Sequence, residues 1–231
     1  MRNTLTTLAA LAVSSFSQMA WSNSTAKNYN MDNENLEQDG QPNLADGLYA
    51  QMTTNKGTIL LQLNYKETPL TVCNFVGLAE GTISNTAKPA GTPYYDGLKF
   101  HRVIANFMVQ GGGYDPRYQQ KPTRAPIQNE AEKGIRAGLK NDIGTLAMAR
   151  TSNPNSATAQ FFVNPQNNDF LNNGDTRGDG YGYAVFGKVI SGMDVINTIG
   201  KVRTASGGPF NKDVPKDAVV IESVTLIEAK K

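Results

Sequence analysis

Apolar and polar residues alternate in two short runs, Leu48-Tyr-Ala-Gln-Met-Thr53 and Thr58-Ile-Leu-Leu-Gln-Leu63, on either side of Asn55-Lys56-Gly57. A period of two with a turn signal between the runs is the pattern of a β-hairpin with one buried face. The period then changes. Thr68 and Pro69 read as an N-cap and first helical residue, Val72, Phe75, Val76 and Ala79 recur at helical spacing, and Gly81 is placed to end the helix. Residues 82–97 form a loop rich in Gly, Pro and Thr, after which strand patterns return at 98–104, 107–110, 144–149, 160–164, 184–189 and 218–228. A second short helix is predicted from Met193, Val195, Ile196 and Ile199, ending at Gly200. Eight strands and two helices, separated by turn-rich loops, predict a mainly β fold: a closed, eight-stranded antiparallel β-barrel capped by two α-helices.

The first residues follow a different pattern. Arg2 precedes an apolar stretch over 5–13, and small residues follow, with Ala20-Trp21-Ser22 as one cleavage signal. This predicts a signal peptide over 1–22, with cleavage after Ala20 or Ala26 also compatible, and therefore export. The stretch is too short to span a bilayer and no later segment reaches roughly eighteen apolar residues, so no stable membrane insertion is expected. Residues 23–44 are rich in Asn, Gln, Asp and Glu, with Lys27 against Asp32, Glu34, Glu37 and Asp39 for a net −3. So few apolar groups cannot order a segment, which predicts a disordered, acidic tail ahead of one domain over 45–231. Hydrophobic residues make up 39% of the 231, enough for a single core of ordinary size. A formal net charge of +2 is too balanced for a nucleic-acid partner. Cys73 has no second cysteine to pair with and lies in the helical pattern, where a small buried hydrophobe is expected.

Several familiar chemistries are excluded. His101 is the one histidine, so no His/Cys or His/Glu pair has zinc spacing, and no Gly-x-Ser-x-Gly elbow exists for a hydrolase. Gly111-Gly112-Gly113 lacks the Gly-Lys-Ser/Thr of a phosphate loop and reads as a strand bulge or close backbone approach. Asp175-Thr-Arg-Gly-Asp179-Gly180 lacks EF-hand spacing and reads as a polar turn.

What remains is an ordered set of short motifs. Phe100-His-Arg-Val-Ile104 is followed by Phe107-Met-Val-Gln-Gly-Gly112, Met148-Ala-Arg150, Gln160-Phe-Phe-Val163, Asp169-Phe-Leu171 and Tyr183-Ala-Val-Phe-Gly-Lys-Val189. In order and spacing these segments resemble the cyclophilins, over residues 46 to 228, and most of all their periplasmic bacterial branch. The resemblance implies a peptidyl-prolyl cis-trans isomerase that assists protein folding, needs no cofactor, is located in the periplasm and acts as a monomer.

It also implies a site. The arginine of the Phe-His-Arg motif is the key catalytic group of the family, which gives that role to Arg102. Phe107, Met108, Phe162 and Leu171 would line an apolar socket for the proline ring, with Phe170 and Tyr183 at its rim. Gln110 and Gln160 would hold the substrate backbone or orient Arg102, and Ala149-Arg150-Thr151 would offer main-chain groups to the residues before the proline. His101 is expected to be a structural or hydrogen-bonding neighbour, because rotation about an amide needs no general base. Three departures stand out: Phe170 replaces the tryptophan of many eukaryotic members, Tyr183 replaces a histidine, and Ala105-Asn106 replaces the usual Pro-Gly. Arg150 also stands where many members carry asparagine, so only its backbone role carries over. The expected partners are proline-containing polypeptides, with weak cyclosporin binding because the rim is altered. A proline-peptide-binding chaperone module without relevant catalysis is the alternative reading.

Overall fold

The alternating runs become the staves of one closed barrel. In the computed structural model, which describes residues 44–229 apart from position 86, eight strands join antiparallel in the order β1-β10-β3-β4-β6-β5-β7-β2. They are β1 (Gly47–Thr54), β2 (Gly57–Leu63), β3 (Lys99–Ile104), β4 (Met108–Tyr114), β5 (Thr145–Met148), β6 (Phe161–Val163), β7 (Val185–Ser191) and β10 (Val219–Ala229). β1 closes the ring by pairing with both β2 and β10. At the hairpin between β1 and β2, Asn55 is fastened to the start of β10: its Nδ2 donates to the Ala218 carbonyl and its Oδ1 accepts from the Val220 N–H.

Each strand with an alternating pattern turns its apolar face inward. Leu48, Ala50, Met52, Ile59, Leu61, Val103, Val109, Leu146, Val163 and Phe186 share one buried cluster. Among the described residues three α-helices accompany the barrel, α1 (Pro69–Glu80), α2 (Ala131–Arg136) and α3 (Met193–Gly200), where the sequence pattern predicts two. The pattern misses α2 because this short helix buries only Ala131 and Gly134 and carries no apolar period. A small hairpin of β8 (Thr204–Gly207) and β9 (Phe210–Pro215), also unpredicted, stands apart from the barrel sheet.

α1 delivers the aromatic centre of the core. Pro69 starts it, and Gly81 ends it in the left-handed region at φ 74°, where a Cβ would meet the Thr92 backbone at 2.6 Å. The expected cap by Thr68 does not form. Its hydroxyl donates instead to the carbonyls of Asn64 and Val185, and the helix N-terminus is served by Glu130, whose Oε2 accepts from the Thr71 N–H at 2.8 Å and from the Thr71 hydroxyl. A carboxylate at that position satisfies an otherwise unpaired amide and complements the helix dipole. Cys73 is half-buried rather than buried, since it shares a face of α1 with Pro69, Val76 and Glu80, which are half-buried too.

The predicted signal segment and positions 23–43 of the predicted tail lie outside the described residues. Leu44, assigned to the tail by composition, is 8% exposed and packs with Tyr49 and Leu60, so the folded unit includes it.

Phe75 touches three rings at once, Tyr95 at 5.1 Å, Phe186 at 5.3 Å and Phe161 edge-on at 5.8 Å between centroids. Phe75→Ala removes the centre of that cluster and should destabilise the domain by about 3–5 kcal/mol. For a domain of this size the melting temperature should fall by roughly 10 °C or more in calorimetry. A drop of only a degree or two would mean that the aromatic cluster is not the keystone of the core.

Candidate functional site

The site begins with an irregular pairing. Between β3 and β4 the register runs Lys99 opposite Tyr114, Phe100 opposite Gly111 and Arg102 opposite Gln110, so both strands carry unpaired residues. The three glycines make this possible. A Cβ at Gly111 would lie 2.9 Å from the Phe100 ring, at Gly112 2.9 Å from Phe161, and at Gly113 2.6 Å from the Gln160 side chain. Gly112 also sits at φ 82°, a region that residues with a side chain rarely adopt. The reading of this run as a bulge and close approach therefore holds, and each glycine yields its space to a different neighbour.

The register beyond the bulge sorts residues into rows. Arg102 stands opposite Gln110, Gln110 opposite Phe162, Phe162 opposite Ala147 and Ala147 opposite Val185, one continuous row over β3, β4, β6, β5 and β7. The neighbouring row, Val103, Val109, Val163 and Leu146, belongs to the main core. Because successive strand residues face opposite sides, the first row lies on the barrel's outer face. There a second apolar cluster forms from Met108, Ala147, Phe162, Leu171 and Val185, with Ile104, Phe107, Leu139, Ala149 and Tyr183 packed against it. Six of the sequence-predicted site residues, Phe107, Met108, Ala149, Phe162, Leu171 and Tyr183, thus meet in one cluster. Ala147, Val185, Ile104 and Leu139 join them without having been singled out; the strand register is the signal that finds the first two.

At the polar end of the row, a half-buried Arg102 donates from Nη1 to Gln110 Oε1 at 3.4 Å, and Gln110 Nε2 donates to Gln160 Oε1 at 3.0 Å. At the apolar end, Phe107 stacks on Phe170 with centroids 5.6 Å apart, and Phe170 is 37% exposed, as a rim residue should be. The Ala105-Asn106 departure is absorbed locally: Asn106 takes φ 56° in the β3–β4 turn, where a short polar side chain tolerates the left-handed region.

Buried amides hold the socket's backbone. Asn168 Nδ2 donates to the Phe107 carbonyl at 2.8 Å, and Asn141 Nδ2 donates to the Leu171 carbonyl at 3.1 Å. Asn164 links the two, donating to Asn141 Oδ1 and accepting from Asn168. None of the three is more than 1% exposed. Scattered asparagines give no periodic signal, which is why sequence reasoning passes over them.

Ala149, Arg150 and Thr151 follow β5. The Ala149 N–H donates to the Gln160 carbonyl and the Thr151 N–H to Ser156 Oγ, so these two N–H groups are engaged within the chain itself. The Arg150 side chain turns away from the row, onto the ring of Tyr183 and into an ion pair with Asp179. Hydrogen bonds from Arg150 and from the backbone N–H groups of Tyr181 and Gly182 hold the Asp179 carboxyl below the usual range, although partial burial acts the other way. The turn over 175–180 is the polar turn expected, held by Asp175 as well as Asp179.

His101 is buried between Tyr114 and the hairpin residue Phe210, at 4.6 and 5.7 Å between centroids, and its Nδ1 has no hydrogen-bond partner among the described residues. Burial pushes its pKa down to about 4. It is a neutral structural neighbour, as the sequence reading expects.

A closed eight-stranded antiparallel barrel of this kind is the fold of solved cyclophilins. One from Cryptosporidium parvum superposes with a TM-score of 0.59 at 23% identity, covering 80% of this chain and all of that one (100%), and a second structure of it, in the presence of the dipeptide Ala-Pro, gives 0.58 at 24% over 79% of this chain and 99% of that one. The sequence narrows the class. The family model for cyclophilin type peptidyl-prolyl cis-trans isomerase/CLD matches residues 49–226, and the chain belongs to that family of isomerases. It is 48% identical to peptidyl-prolyl cis-trans isomerase cyp18 of Streptomyces antibioticus over 177 residues, covering 77% of this chain and 97% of that protein. It is likewise 48% identical to peptidyl-prolyl cis-trans isomerase B of Escherichia coli over 176 residues, 76% and 97% of the two chains.

The buried His101 ties stability to pH. Below about 6.5 the unfolded chain binds a proton on this ring, whereas the folded chain does not until about pH 4. Its contribution is therefore complete above pH 6.5 and is lost on acidification toward 4, by roughly 2–3 kcal/mol. Denaturant melts of the wild type and His101→Phe across this range should show a shallower acid slope in the variant; parallel slopes would mean that the ring is protonated in the folded state.

Proposed function

We propose that the chain accelerates rotation about X-Pro bonds, with Arg102 as the catalytic residue and the cluster around Phe162 as the proline socket. An X-Pro amide is held planar by resonance, with a barrier of about 18–20 kcal/mol. At the twisted transition state the prolyl nitrogen regains its lone pair. A guanidinium donating to that nitrogen binds the twisted form better than the planar one, which is the condition for catalysis. The observation that carries the reading is the single row that places Arg102, Gln110 and Phe162 in cross-strand register. A socket that seats the ring in this row puts its nitrogen within reach of the arginine, while Gln110 and Gln160 steady the guanidinium. Catalysis, rather than passive peptide binding, is favoured because this charged fork stands beside the socket. The substrates are proline-containing segments of polypeptides, and the apolar stretch behind Arg2 supports action on exported chains in the periplasm.

Arg102→Ala should lower kcat/KM on an X-Pro peptide by roughly 10²–10³, the usual cost of losing one charged transition-state donor. Arg102→Lys should recover only part, since a point charge lacks the planar fork. The melting temperature should hardly move. Coupled or NMR isomerisation assays measure this directly, and activity within about threefold of wild type in Arg102→Ala would end the mechanism.

The rim sets inhibitor affinity. Phe170, stacked on Phe107 and partly exposed, offers no N–H to a ligand, so cyclosporin should bind weakly. Phe170→Trp adds apolar area and an indole donor worth about 1–2 kcal/mol, on the order of ten-fold in affinity. Equal inhibition constants for wild type and variant would remove Phe170 from the rim.

A further inference from the structure

The Arg150 side chain is 2% exposed although it belongs to an arginine at the mouth of the groove. Its Nε donates to the Gly182 carbonyl at 3.1 Å, its Nη2 donates to both Asp179 oxygens at 2.9 and 2.7 Å, and its Nη1 donates to the Thr151 carbonyl at 2.9 Å. The guanidinium plane also covers Tyr183, 4.3 Å from the ring centroid, and Tyr183 in turn meets Phe162 edge-on at 5.6 Å. An arginine so engaged has little left to offer a substrate. What it does is tie together two walls that no strand ladder joins: the 149–151 backbone and the loop that returns to β7 through Gly182 and Tyr183. Asp179 anchors it from outside, itself fixed by the N–H groups of Tyr181 and Gly182.

We propose that Arg150 and Asp179 form a clamp that sets the wall of the groove facing the residues ahead of proline, with Asp179 acting as a positioning residue through Arg150 on the Thr151 carbonyl and the Tyr183 ring. The inference rests on the groove assignment above and adds to it the determinant of how peptide segments preceding the proline are gripped. Both ends of the clamp matter physically. Three guanidinium nitrogens reaching three different partners, with a face stacked on Tyr183, fix the group in orientation as well as place, and the point charge of a lysine cannot reproduce that. If the pair served stability alone, its loss would lower the melting temperature and weaken all substrates equally.

The test uses the full chain and two blocked peptides, one with three residues ahead of the proline and one with a single alanine. Exchange NMR separates affinity from turnover in Asp179→Asn and Arg150→Lys, with Asp179→Glu as the conservative variant. Asp179→Asn keeps one oxygen, Oδ1, that can accept from the guanidinium, which protects folding, and Arg150→Lys gives a second route should it melt. The clamp predicts that affinity for the longer peptide falls about five- to ten-fold, as misplacement of a positioning wall by a fraction of an ångström would cause. Turnover of bound peptide should stay within about two-fold, the short peptide should be nearly unaffected, and Asp179→Glu should recover most of the loss. Equal losses on both peptides, or no loss on either, would overturn the clamp whatever happens to the melting temperature. Arg102→Ala in the same experiment should lower turnover of both peptides; if it does not, the groove assignment falls, and that failure is distinct from an absent length dependence.

Discussion

The register of β3 against β4 is the constraint on which the rest of the site depends. A regular hairpin would keep every residue in step from Lys99 to Tyr114, and the glycine run would have no purpose. Instead three residues without side chains let β4 bulge, and Arg102 falls opposite Gln110 rather than one place away. Since side chains alternate between faces, a slip of one residue would send Arg102 into the valine-lined interior and turn Val103 outward. The unpaired space is then taken up by Phe100, Phe161 and Gln160, each pressed close to one glycine. The position of Arg102 and the core packing are fixed by the same irregularity.

Above that register, the barrel separates two apolar clusters that the sequence runs together. Phe161 and Phe162 are adjacent in the chain, yet the first packs among Phe75, Tyr95 and Phe100 while the second belongs to the outer cluster. A socket on the outside of a sheet has no opposing layer to hold it. Its far wall, from Phe107 to Tyr183, consists of loops, and loops need partners for their backbone. The buried asparagines supply them, donating to the carbonyls of Phe107 and Leu171. Each such amide would cost about 1–3 kcal/mol if left unpaired, so the network fixes one loop arrangement by making others expensive.

What could be read from the sequence follows from what leaves a periodic trace. β1 and β2 show the two-residue alternation, the other barrel strands stand out as short apolar runs between turn signals, and α1 and α3 show the helical period, so their existence and order are legible. α2 and the β8–β9 hairpin bury too little apolar surface to produce a pattern. The motif residues converge as expected, but the partners that orient them are distant in sequence. Glu130 reaches Thr71 across 59 residues, Asn168 reaches Phe107 across 61, and Asp179 reaches Arg150 across 29. No local propensity encodes such pairs. Thr68 shows the converse error: a residue suited to capping spends its hydroxyl on Asn64 and Val185 because a stronger acceptor, a carboxylate, already occupies the helix end.

The two arginines near the groove show how surroundings divide the labour between chemically identical side chains. The Arg150 side chain is buried, and nearly all of its donors are committed to Asp179, Gly182 and Thr151, which makes it rigid and chemically silent. Arg102 is half-exposed and makes one long contact, 3.4 Å, to Gln110. A bond of that length orients the guanidinium plane while leaving most of its fork unspent, and partial exposure lets the charge persist without a buried counter-ion to compete for it. In the proposed reaction this balance is decisive. A carboxylate beside Arg102 would stabilise the resting enzyme and dull its preference for the twisted amide, whereas neutral glutamines orient the group and leave its charge for the transition state.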